Sequence, residues 1–240
     1  MIEDTNEESR IQDHVYFGPI IGHKTVYQFN ERVFHVKCLQ SNSNESDSTG
    51  LRIYAGAHVG IRFISQHREL LDGRRVCEIG CGAGVVGLCA CECTDLESIV
   101  LTDGSTEALA LAEYNINAFQ ARSKASSQTL IWGDCDSDLK RSKFDVLIGC
   151  ELMYYKLDMS SLISTVEELL NTDGIFIHAH IFRKPDQENE LIAGLVSIGW
   201  STLEVPIELF VDAGELKQHP DWYNVRCLVS SRTQNILDLR

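Results

Sequence analysis

From residue 75 onward the sequence alternates between two kinds of segment. Short apolar runs suited to strands occupy 75–79, 98–102, 128–132, 144–149 and 174–180. Longer stretches with helical spacing, at 84–94, 105–119, 158–170 and 186–198, lie between and after them. Two parallel strands can be joined only by a long crossover, and repeated crossovers lay helices on both faces of one sheet. The alternation therefore predicts an α/β fold around a mostly parallel, doubly wound sheet. Two more strand-like runs, near 201–206 and 223–230, flank a loop containing HPDW and predict a closing antiparallel hairpin.

The segment before residue 75 is of another kind. Residues 1–14 are polar and acidic and read as a loose tail. TVYQFNERVFHVKCL, 25–39, has β-rich runs on either side of Asn30 and Glu31 and predicts a β-hairpin. SNSNESDSTG, 41–50, reads as a turn-rich loop, and AGAHVGIRFISQHREL, 55–70, has helical spacing. With 240 residues and neither repeat nor linker, residues 1–240 are expected to form a single domain, 1–50 being an N-terminal extension with hairpin and loop.

The glycine loop narrows the function. Residues 76–87 read VCEIGCGAGVVG, a strand that runs through Glu78 into glycines at 80, 82 and 84 and then into a helix. Glycine lets the backbone approach a ligand where a Cβ would collide. The loop falls at the carboxyl end of the first parallel strand, where open α/β sheets bind ligands. Asp103 ends the next strand, where a carboxylate can accept both hydroxyls of a ribose. Gly82, Gly84 and Gly87 also satisfy the GxGxxG dinucleotide pattern. That pattern serves a pyrophosphate, beside which Glu78 would be an odd neighbour. S-adenosylmethionine carries a sulfonium, an ammonium and a ribose but no phosphate, so acids at 78 and 103 suit it better, with Glu78 toward the ammonium.

At these residues the chain resembles a known group. EIGCGAG, 78–84, resembles motif I of the seven-strand, class I S-adenosylmethionine-dependent methyltransferases. LRIYAGA at 51–57, LIWGD at 130–134 and FDVLIGCELMYY at 144–155 resemble segments of the methyltransferase-like protein-lysine methyltransferases. The ordered match runs from about residue 25 to 182. The resemblance implies a Rossmann-like, doubly wound, seven-stranded sheet with the C-terminal antiparallel hairpin, extended by the N-terminal β-hairpin. It also implies that Gly80, Cys81 and Gly82 border the methionine part and ribose, and that Asp103 holds the ribose hydroxyls. Trp132 would lie beside the adenine and Cys150 would offer backbone to the ligand. Tyr54 stands where the family usually has Trp, and Glu151 where it usually has Asp.

Glu151 and Tyr154 follow the fourth parallel strand and are expected to face the same crevice. The resemblance makes them the catalytic pair, Glu151 capturing and orienting a lysine side chain and Tyr154 supplying a ring face or hydroxyl. Other acceptors remain in view: arginine or histidine methyltransferases of the same fold, besides a nicotinamide-dependent oxidoreductase and an inactive cofactor-binding module. The net charge of −14 favours a protein substrate with a basic surface and opposes nucleic acid.

Nine cysteines without a CxxC pair, no secretory signal and no membrane-spanning run predict a reducing cytosolic or nuclear setting. A monomer is expected, without contact with a membrane. Cys89 and Cys93 share a helix face and read as small buried core residues, and His178 and His180, two apart on a strand, have no third ligand evident, so no metal is expected.

Overall fold

A computed structural model describes residues 16–17, 24–29, 32–38, 49–119, 121–153 and 158–233. The N-terminal strands β1 (Tyr16–Phe17), β2 (Lys24–Phe29) and β3 (Arg32–Lys37) form their own antiparallel sheet in the order β1-β2-β3. The hairpin expected at 25–39 is thus present, with Thr25 opposite Val36 and Phe29 opposite Arg32.

The main body opens with helix α1 (Ala55–Gln66). Strands β4 (Arg75–Ile79), β5 (Ser98–Asp103), β6 (Ala125–Thr129), β7 (Phe144–Cys150) and β8 (Leu170–Ile181) follow. Between them come α2 (Val85–Cys93), α3 (Thr106–Ala118), α4 (Ser137–Ser142) and α5 (Met159–Leu169). Helix α6 (Pro185–Ser197), β9 (Ser201–Val205), α7 (Ala213–Gln218) and β10 (Val225–Ser231) complete the chain.

The strands form one seven-stranded sheet in the order β6-β5-β4-β7-β8-β10-β9. Strands β4 to β8 pair in parallel, whereas β10 runs antiparallel to both β8 and β9. The C-terminal pair is the expected antiparallel hairpin, but its second strand slots between β8 and its first strand rather than adding at the edge.

Buried strands alternating with crossover helices account for the parallel part of this sheet. β7 reads FDVLIGC, and Val146, Leu147 and Ile148 are fully buried because helices cover both faces of the sheet. Each such side chain contributes roughly 1.5–3 kcal/mol on burial. One face packs α1, α2 and α3 with residues such as Ile61, Phe63, Leu88 and Ile116. The other packs α4, α5 and α6 through Leu139, Leu162, Val166, Leu191 and Leu195. Asp158 and Ser105 mark helix starts by accepting from Ser160 N–H and Ala108 N–H, as N-cap residues do.

One strand lies elsewhere than expected. β6 covers Ala125–Thr129, not 128–132. ASSQT is polar and only half-buried at the sheet edge, so periodicity pointed to the apolar LIW that follows, which turns over the end of the sheet instead. Two short helices, α4 and α7, were not expected.

The stretch between β9 and β10 returns over α1. Arg62 on α1 is buried and donates from Nε to Glu215 Oε1 on α7 at 2.8 Å. His219 stacks on Trp222 of the HPDW loop, with ring centroids 4.5 Å apart. The expected histidine pair on β8 does share a face: the His178 and His180 rings stack at 4.5 Å. His180 Nε2 lies 2.7 Å from Glu188 Oε2, and burial lowers the pKa of both rings. All nine cysteines are free thiols. Among the described residues no cluster of three or more His, Cys, Asp or Glu could hold a metal, and no helix is long and apolar enough to cross a membrane.

Candidate active site

The order of strands reverses between β4 and β7, so their carboxyl ends splay the following loops apart and leave a crevice. A cavity of about 1200 Å³ lies there. It is lined by Tyr54, Glu78, Gly80, Cys81, Gly82, Asp103, Trp132, Cys150 and Glu151. Tyr154 lies outside the described residues. The cavity is also lined by Gly50 to Ile53, which begin in the 3-10 turn Thr49–Leu51, and by Asp158, Ser161, Arg183 and Lys184, none of which the sequence reading assigned to the site.

The glycine loop sits at the floor. Gly82 has φ +53, a left-handed conformation that favours glycine. A Cβ on it would lie 2.3 Å from the carbonyl oxygen of Gly50. The bareness at this position therefore accommodates the chain's own 49–54 segment, where the sequence alone had suggested only a ligand. Gly87 serves packing: a Cβ there would meet Leu101 Cδ2 at 2.4 Å and Glu78 Oε2 at 2.6 Å, so α2 could not lie this close to β4 and β5. That is the helix-packing duty of the third glycine in GxGxxG loops.

Asp103 is held by the loop it would serve. Its Oδ2 accepts from Gly82 N–H at 2.9 Å and its Oδ1 from Ser105 N–H at 2.9 Å. Each oxygen keeps a second lone pair, and two fixed acceptors side by side suit a vicinal diol. Glu78 is only 2% exposed and accepts from Gly87 N–H at 2.9 Å through Oε2. Burial, aided by the charge of Asp103, pushes its pKa up to about 8, against the pull of the Gly87 hydrogen bond. Among the described residues no cation pairs with this buried acid.

Trp132 sits against the loop, since a Cβ at Gly80 would lie 3.3 Å from Trp132 Cζ2. Behind it, Gly133 has φ +84 and donates its N–H to Thr165 Oγ1 at 2.9 Å, which fixes the turn carrying the indole. The Cys81 and Cys150 thiols are raised well above their ordinary range by burial, which disfavours a nucleophilic thiolate at either.

Glu151 is the non-glycine residue among those lining the site with a left-handed backbone. It has φ +57, and its N–H donates to Ala179 O at 2.9 Å. Its Oε1 accepts from Gly56 N–H at 2.8 Å and Ile181 N–H at 3.3 Å. Burial raises its pKa, while the two N–H bonds and the charge of Arg183 act in the opposite direction. The sequence had placed Glu151 in the crevice; that its carboxylate turns back onto backbone was not legible, because its partners are distant in the chain.

The residues fit S-adenosylmethionine in three respects: paired acceptors for a ribose, an aromatic ring beside the loop, and a buried acid without a cation. Solved structures share the fold. The chain superposes on ribosomal protein L11 methylase from Lactobacillus delbrueckii subsp. bulgaricus with a TM-score of 0.52, at 21% identity, over 72% of this chain and 78% of that one. It superposes on SMU.776, assigned as a methyltransferase and solved complexed with SAH, with a TM-score of 0.56, at 14% identity, over 90% of this chain and 57% of that one. The class is the Rossmann-like methyltransferase fold.

A family model described as lysine methyltransferase matches residues 34–195, more than half of the chain, and the chain belongs to that family. Among its relatives, the protein-lysine N-methyltransferase EFM3 of Chaetomium thermophilum is 29% identical over 148 residues, 57% of this chain and 44% of that protein. The calmodulin-lysine N-methyltransferase of Arabidopsis thaliana is 26% identical over 174 residues, 69% of this chain and 57% of that protein. The protein N-lysine methyltransferase METTL21A of Danio rerio is 27% identical over 126 residues, 52% of this chain and 57% of that protein. The chain thus spans about half the length of the curated relatives it matches.

Proposed function

We propose that the protein transfers a methyl group from S-adenosylmethionine to a lysine side chain of a protein substrate. The observation that carries this reading is one cavity lined together by Asp103, whose two carboxylate oxygens are fixed by loop N–H groups, by the Trp132 ring and by the acid Glu151. When bound, S-adenosylmethionine supplies an electrophilic methyl on a sulfonium. Asp103 would hold the ribose hydroxyls, Trp132 would flank the adenine, and Glu78 would balance the ammonium.

The acceptor must arrive as a neutral amine. Lysine titrates near pH 10.4, so at pH 7.4 roughly one side chain in a thousand is ready, a deficit of about 4 kcal/mol. A nearby cation lowers that pKa, whereas a carboxylate would raise it. Glu151 is therefore an orienting group rather than a strong base. Its Oε2 has no hydrogen-bond partner among the described residues and can meet the amine. Catalysis would rest mainly on proximity and alignment.

The net charge of −14 supports a basic surface on the substrate protein and argues against nucleic acid. Nine free thiols support a reducing compartment, cytosolic or nuclear.

The test is transfer of a labelled methyl from S-adenosylmethionine into cell extract, followed by mapping of the modified residue. Label on lysine is expected. Label on arginine, histidine or a small molecule would reject the acceptor and leave the cofactor standing.

A further inference from the structure

We propose that Glu151 is also a positioning residue for the cofactor, whose carboxylate clasps the start of α1 and so holds the 50–54 strap over the cavity.

Helix α1 lacks a cap of its own. Its N-cap residue, Tyr54, makes no side-chain cap hydrogen bond, and no acid lies in its first turn. First-turn N–H groups need acceptors from elsewhere. Glu151, 95 residues further along, supplies one to Gly56 and shares the same oxygen with Ile181 at the end of β8. Three separate pieces of chain meet at that atom.

Two unusual local features serve this contact. Glu151 takes a left-handed backbone conformation, which is disfavoured for any residue with a Cβ. Gly56 leaves room for the carboxylate, since a Cβ there would lie 2.5 Å from Glu151 Oε1 and 2.9 Å from its Cδ. An acid required only to meet an amine in the crevice would need neither. The clasp also reaches the cofactor end of the site. The strap runs from Gly50, whose carbonyl lies over Gly82, to Tyr54 at the head of α1, and both ends line the cavity. Releasing the head of α1 frees one wall of the cofactor site.

This inference rests on the cofactor part of the proposed function and not on the acceptor. Calorimetric titration of S-adenosylmethionine into wild type, Glu151→Gln, Glu151→Asp and Gly56→Ala tests it, with folding checked by thermal melts. The Gln variant keeps an oxygen that accepts the same N–H groups, so its affinity should stay within about threefold of wild type. The Asp variant falls one methylene short, and Gly56→Ala keeps the acid but displaces it. Each should bind roughly tenfold more weakly or worse. Hydrogen exchange at Gly56 N–H in the free protein reads the clasp without any cofactor. Protection should persist in the Gln variant and vanish in the Asp variant. Wild-type affinity in both Glu151→Asp and Gly56→Ala, or a Gln variant as weak as the Asp variant, overturns the inference. So does full protection of Gly56 in Glu151→Asp. If wild type shows the expected exchange pattern but binds no S-adenosylmethionine, the clasp stands as structure, and its cofactor role falls together with the cofactor reading.

Discussion

Glu78 is asked to be both buried and charged. Without a cation its pKa rises to about 8, so near neutral pH it holds a proton. A ligand carrying a positive charge at this acid would expel that proton, and affinity should rise with pH up to about 8. Below that value the dissociation constant should weaken by as much as tenfold per pH unit. The sign for stability is the reverse. Between the ordinary glutamate range and about 8 the folded state holds the proton and the unfolded state does not, so stability of the free protein falls as pH rises through that window. Calorimetric titrations and thermal melts between pH 6 and about 8.5 check both trends, and Glu78→Gln should flatten them.

Asp103 makes a contrasting case, because its two oxygens are already engaged by Gly82 and Ser105. Asp103→Ala removes charge-assisted hydrogen bonding worth about 1.5–3 kcal/mol in all to binding, so cofactor affinity should fall roughly 10- to 150-fold. It also leaves two loop N–H groups without their acceptor. A lower melting temperature should therefore accompany the weaker titration. Weaker binding with an unchanged melt would show that the loop holds its shape without the acid.

At the scale of elements, close approach is what the glycines permit. Gly87→Ala puts a methyl into Leu101 and Glu78, so α2 must lift from β4 and β5. A loss of about 1–3 kcal/mol is expected, typical of overpacking, despite the better helix propensity of alanine. Denaturant unfolding measures it, and a gain in stability would mean that α2 yields easily. The contact of α1 with α7 is of another sort. Glu215→Ala removes a carboxylate from buried Arg62, and breaking a buried ion pair from one side typically costs about 3–5 kcal/mol. The same unfolding experiment reads it. Double substitution with Arg62→Met should recover part of the loss, because no charge then remains to be desolvated.

At the scale of the whole molecule, charge and topology act separately. The excess of acid does nothing to choose the fold, but it sets a long-range field. If the substrate is a basic protein surface, its KM should rise with salt as charges are screened within about 8–10 Å. The affinity for cofactor, held by contacts inside the crevice, should change far less. Methyl-transfer kinetics over a range of salt concentrations separate the two.

The sequence by itself determined the parallel sheet, since β4, β5, β7 and β8 are apolar runs separated by helix-length crossovers. It also placed the glycine loop, Asp103 and Glu151 at strand ends, because a ligand site at the carboxyl edge follows from βα order alone, whereas Trp132 was pointed to by the resemblance and lies beyond β6, the strand expected to carry it. Tertiary structure decided what depends on distant partners. The polar edge strand β6 is held by pairing with β5, which no periodicity in ASSQT reveals. The insertion of β10 between β8 and β9 depends on ladder pairing and on the burial of Val229 and Cys227. Gly82 is bare partly for the sake of Gly50, and Glu151 turns back to cap a helix that begins at Ala55. Local sequence carries the propensity of each element. Which orphan N–H group meets which carboxylate is fixed only once the sheet has closed and brought remote residues within hydrogen-bond range.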